Sequence, residues 1–125
     1  MPFRTSKKNF EEFAEKALET LPDEFKKYFT NISIIIEDYP SKEDARLLNL
    51  KKLNLLGLFS GVPYSKKDGF FHVPYPFPAE IILFQKNIEE ICSNEKELIE
   101  EIRKTLLHEV GHYFGLSEKE LRKYE

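Results

Sequence analysis

Near its C-terminal end the chain reads Leu106-Leu107-His108-Glu109-Val110-Gly111-His112-Tyr113-Phe114-Gly115. On a helix, His108 and His112 are four residues apart, so their rings lie on one face, one turn apart. Two neutral imidazoles so placed can hold one zinc ion, and Glu109 beside them is a candidate general base. Three residues past Gly115 comes Glu118. A carboxylate oxygen is an acceptable third ligand, and a catalytic zinc wants three protein ligands and one open position. His108, His112 and Glu118 would make a complete set for one Zn2+ per chain. Two plainer readings stand beside this one. The histidines could be core residues satisfied by hydrogen bonds, and Ser117 with Glu120 could form a capping box in which Glu118 is only a first-turn acid. Glu120 is also the second candidate for third ligand.

The element that must position these groups is a long helix begun by Asn94. Ile99, Ile102, Leu106, Val110 and Tyr113 recur at helical spacing, and Leu107 and Phe114 add a second apolar flank. The early turns carry Glu97, Glu100, Glu101, Arg103 and Lys104, so the helix runs from wet to dry and the histidines fall at the dry end. Gly111 costs about 1 kcal/mol against alanine in such a helix, a cost that makes sense where another backbone packs tightly. Gly115 can take the left-handed conformation that ends a helix and turns the chain back.

Upstream, residues 6–20 predict an amphipathic helix with Phe10, Phe13, Ala14, Ala17, Leu18 and Leu21 on one face. Pro22 opens a second short helical stretch reaching Phe29, with Phe25, Tyr28 and Phe29 inward. The run 31–37 is β-branched and continuous, the pattern of a strand covered on both faces. Ser41 can cap a helix from Lys42 to about Leu50. Residues 55–64 read as a strand broken by glycines, 65–69 as a turn, 70–78 as an extended proline-rich loop and 79–87 as a strand. His72 in that loop, with Tyr64, Tyr75 and Tyr113, can be weighed as oxyanion donors or as ordinary loop and core residues. Asp38 and Asp68 look like turn residues.

The chain of 125 residues fits one domain, 1–125, with a genuine hydrophobic core. Its net charge is -3 and its lysines come in scattered pairs, which does not favour a nucleic-acid partner. The single Cys92 forbids an internal disulfide and reads as a small buried residue. No apolar run is long enough for a signal peptide or a membrane span, so the expected location is cytoplasmic, away from membranes.

The run Leu55-Leu56-Gly57-Leu58-Phe59-Ser60-Gly61-Val62-Pro63, the later Ile81-Ile82-Leu83-Phe84 and the final HEVGHYFGLSEKEL together resemble the bacterial minimal zincins, small one-domain metallopeptidase-like proteins. The resemblance spans Ile32 to Leu121. It implies an α+β, metzincin-like fold, with a small mixed sheet packed against N-terminal helices and a C-terminal zinc-binding helix. The family often has aspartate where Glu118 stands, so the carboxylate here carries one more methylene. True metzincins end their motif in histidine and continue to a methionine turn; here the only methionine is Met1. Substrate would then be held mainly from one side, for instance by backbone pairing to an exposed strand at 81–85.

These readings converge on a zinc-dependent peptidase. Zinc would polarise the scissile carbonyl and acidify a water, and Glu109 would move the proton to the leaving amine. The substrate is a peptide or protein, and oligomeric state is open. The alternative is a metal-binding interaction module without catalysis. Another zinc hydrolase, acting for example on RNA, is disfavoured by the acidic net charge and by Glu109.

Overall fold

Ser6 stops the extended N-terminal segment and begins the first helix, α1 (Lys7–Glu19). Its hydroxyl accepts from the Asn9 N–H at 3.1 Å, satisfying one orphan donor of the first turn. Thr20 closes the helix. The computed structural model describes residues 2–26, 29, 32–47, 55–60, 79–113 and 115–124. The elements in order are α1, α2 (Asp23–Lys26), β1 (Ile32–Glu37), α3 (Lys42–Leu47), β2 (Gly57–Ser60), β3 (Ala79–Phe84), α4 (Gln85–Glu90), α5 (Glu95–Tyr113) and α6 (Glu118–Leu121), then a 3-10 turn, Arg122–Tyr124. The expected turn at 65–69 and loop at 70–78, with His72, Tyr64, Tyr75 and Asp68, lie outside the described residues.

The sheet has three strands in the order β1-β3-β2. β1 runs parallel to β3 and β2 antiparallel to it. This mixed sheet against helices is the α+β arrangement that the family resemblance implies. Two expectations change. β1 is an edge strand, with only Ile36 buried and Ser33 and Glu37 exposed, so it is not covered on both faces. β3 is the central strand, bonded on both sides, so it offers no free edge to a substrate; among the described residues the edges belong to β1 and β2.

The strand expected over 79–87 ends at Phe84, and the chain turns straight into α4. The reason is polar. Gln85 and Asn87 are buried, and buried amides need partners. Gln85 Nε2 donates to the Thr5 carbonyl and to Glu89 Oε2, both at 3.0 Å, and Asn87 Nδ2 donates to the Leu55 carbonyl at 2.7 Å. Glu89, fully buried, also accepts the Thr5 N–H at 2.9 Å and faces Arg4 at 3.5 Å. The Phe3 N–H reaches the Cys92 carbonyl at 2.8 Å, so residues 3–5 form a strap across α4.

One apolar cluster joins these layers. It contains Phe10, Ala14, Ala17 and Leu21 of the N-terminal helix region, Ile81 and Leu83 of β3, and Leu98, Ile102, Leu106 and Val110 of α5. Ala14 and Ala17 are small, which lets α1 lie close along α5. Leu98 is fully buried while Ile99 is only partly so; the inward stripe of α5 therefore starts one residue earlier than its periodicity suggests. Cys92 is buried, as expected of it, and burial with the charges of Glu101, Glu97 and Glu89 pushes its thiol up to about 11. Among the described residues no helix is long and apolar enough to cross a membrane.

Candidate metal centre

α5 begins as the sequence signals. The Glu97 N–H donates to Asn94 Oδ1 at 2.9 Å, and Glu97 Oε1 accepts the Ser93 N–H at 3.0 Å. From this fixed start, thirteen of the helix's nineteen residues (95–107) lead to the last turns, which carry His108, Glu109 and His112. His108 and Glu109 are half-buried, and Leu106, Leu107 and Val110 around them are fully buried. Position 112 follows one turn after 108 on the same side of the helix. The side chains of His112, Tyr113 and Glu118 lie outside the described residues.

The end of α5 is a Schellman turn. Gly115 has φ +78°, a conformation that L side chains rarely adopt. The Leu116 N–H donates across it to the Gly111 carbonyl at 2.8 Å, the six-to-one bond of that motif. Ser117 then caps α6. The Glu120 N–H donates to Ser117 Oγ at 3.2 Å, while Glu120 Oε1 accepts from the Ser117 N–H at 3.2 Å and from its hydroxyl at 3.1 Å. Glu120 is thus tied into the capping box, and Glu118 opens the helix as its first residue.

Leu121 locks α6 onto α5. It is fully buried, and it fills the notch left by Gly111. A Cβ at position 111 would lie 2.9 Å from Leu121 Cδ1, 3.0 Å from Cγ and nearer still to Cδ2. The tight neighbour anticipated for Gly111 exists, but it is a side chain and not a backbone. Beyond it, Arg103 Nη2 donates to the Tyr124 carbonyl at 2.7 Å, and the Tyr124 ring meets Phe25 edge-on with centroids 4.8 Å apart. The charge of Glu24 beside the Tyr124 phenol raises its pKa.

β2 lies along the same helix. A Cβ at Gly57 would fall 2.6 Å from Thr105 Cγ2, so only glycine lets the strand approach there. Thr105 is buried, donates to the Glu101 carbonyl at 2.9 Å and stands one turn before His108 on its side of α5. The edge strand therefore passes next to the candidate site. Sequence reading missed the contact of Gly57 with Thr105 and anticipated a close neighbour only at Gly111; glycines inside regular elements were the only signal.

The residues fit a metal in one observable respect. Two imidazoles one helical turn apart, at positions 108 and 112, and a carboxylate at position 118 are ordinary donor types for zinc. Among the described residues there is no group of three or more histidine, cysteine, aspartate or glutamate side chains arranged to hold an ion, but two of the three candidate ligands are not among those side chains.

A mixed sheet packed against a helix that carries H-E-x-x-H is the arrangement of a zincin-like domain. The family profile described as zincin-like metallopeptidase matches residues 29–125, and the chain belongs to that family. No curated protein matches the chain closely enough to count as a relative.

Proposed function

We propose that the chain is a zinc-dependent peptidase in which His108, His112 and Glu118 hold one Zn2+ and Glu109 is the general base. The observation that carries this reading is the H-E-x-x-H turn at the dry end of α5, followed by a Schellman turn that leads directly to Glu118. Glu118 is preferred over Glu120 because the Glu120 carboxylate is already engaged by Ser117. Membership of a metallopeptidase family supports the reaction class.

Zinc, when bound, supplies a Lewis acid that polarises the scissile carbonyl. Glu109 takes a proton from the attacking water and returns it to the leaving amine. The fully buried Leu106, Leu107 and Val110 hold the helix turn rigid and dry around these groups. An extended peptide substrate pairs with the outer edge of β2, which lies against α5 one turn before His108.

The test is metal analysis together with a broad peptide mixture. One equivalent of zinc is expected, lost in His108→Ala and His112→Ala and kept in Glu109→Ala, with cleavage abolished in all three. Stoichiometric zinc without cleavage above the Glu109→Ala level would instead make the domain a non-catalytic metal-binding module.

A further inference from the structure

At the other side of the sheet from β2 lies β1. It pairs with β3 from Ile32↔Ala79 to Glu37↔Phe84, and its outer edge meets no strand among the described residues. Natural edge strands are usually blunted by lysine, proline or a bulge. β1 reads Ile-Ser-Ile-Ile-Ile-Glu, uncharged over its first five residues. α1 does not close over it. Between them runs a groove of about 320 Å³ lined by Ala14, Leu18, Ile34 and Ile36, with Glu11 and Glu15 on its helix side. The floor is apolar. The two glutamates are exposed, stand one turn apart, and neither belongs to an ion pair among the described residues. Like charges at that spacing repel each other.

We infer that this groove takes an extended peptide segment that adds to the sheet beside β1 and carries a lysine or arginine among apolar residues. The open edge supplies backbone N–H and C=O groups for a ladder. Guest side chains two residues apart point to one face. One of them, apolar, enters between Leu18 and Ile34, and its basic neighbour on that face meets Glu11 and Glu15. A second copy of β1 suits the groove less well, because it would bring two more carboxylates against the first pair. The groove stands at the opposite edge of the sheet from the candidate metal centre, so its occupancy is independent of zinc.

The experiment titrates the full chain with a short fluorescent peptide of alternating valine and threonine bearing one central arginine, and with the same peptide bearing glutamate there. Anisotropy should show binding of the arginine peptide. Both the glutamate peptide and the E11Q/E15Q double variant should weaken it about tenfold, as two exposed ion pairs allow. Amide NMR shifts should gather on residues 11–18 and 32–37. Equal binding of the two peptides, equal binding by the variant, no binding of either, or shifts centred elsewhere would overturn the inference. A concentration-dependent dimer in sedimentation whose contact shifts fall on 32–37 would also overturn it, giving the groove to a second copy.

Discussion

Replacing Gly111 with alanine should loosen metal binding more than it loosens the fold. Two effects oppose each other in the metal-free protein. Alanine gains about 1 kcal/mol of helix propensity over glycine. Against this, the new methyl would stand 2.9 Å from Leu121 Cδ1 and 3.0 Å from Cγ, well inside ordinary contact. Leu121 is fully buried, so overpacking costs about 1–3 kcal/mol. The net loss of stability should be about 0–2 kcal/mol. The relief open to the fold is a shift of α6 away from α5, and α6 carries Glu118. Zinc–oxygen bonds tolerate only a few tenths of an ångström, so an equal shift of Glu118 should weaken zinc affinity at least about tenfold, roughly 1.4 kcal/mol. Chelator competition measures the affinity, and urea melts of the metal-free protein measure stability. G111A/L121A should recover part of the affinity, since the second change removes the clash. Wild-type zinc affinity in an evidently destabilised Gly111→Ala protein would refute the link between Leu121 and the proposed third ligand, Glu118. A variant stabilised by the full propensity gain would refute the tight notch.

Three further outcomes follow from particular contacts. Glu118→Gln should lose zinc affinity with little change in metal-free stability, whereas Glu120→Gln should keep zinc and lose about 0.5–1 kcal/mol from the cap, both read by the same titration and melt. Cys92 should make the fold alkali-sensitive: the unfolded thiol ionises near pH 9 and the native one at about 11, so over that window the unfolded chain releases a proton that the native state retains. Its contribution is therefore complete below pH 9 and declines as pH rises to 11, by roughly 2–3 kcal/mol; comparing urea melts of wild type and Cys92→Ala across this range isolates it from Tyr124, which leans the same way. Glu89→Gln should cost about 1–3 kcal/mol, because one carboxylate serves the Thr5 N–H, Gln85 and Arg4, and hydrogen exchange at the Thr5 amide should speed up selectively.

What could be read from the sequence was what neighbours decide. Ser6 and Thr20 bound α1, Asn94 opens α5, Gly115 closes it and Ser117 pairs with Glu120, all through contacts a few residues long. The helical spacing of His108 and His112 belongs with these. The end of β3 could not be read, because the groups that bury Gln85 and Asn87 come from Thr5 and Leu55, far away in the chain. The same holds for sheet order: an isoleucine-rich run does not reveal whether it lies at the centre, like β3, or at the rim, like β1. Leu98 and Ile99 are equally apolar, and only the packed position of α1 decides which turns inward. The choice between Glu118 and Glu120 as third ligand was not legible, because both lie in one short helix.

The central position of β3 has a consequence for synthesis. β1 and β2 leave the ribosome first, and each finds its only described strand partner in β3, whose first residue follows the last residue of β1 by 42 positions (79 − 37). At about 5–20 residues per second, the isoleucine-rich segment waits roughly 2–8 s without its mate. Slowing elongation between these two strands should raise the fraction of chains that aggregate.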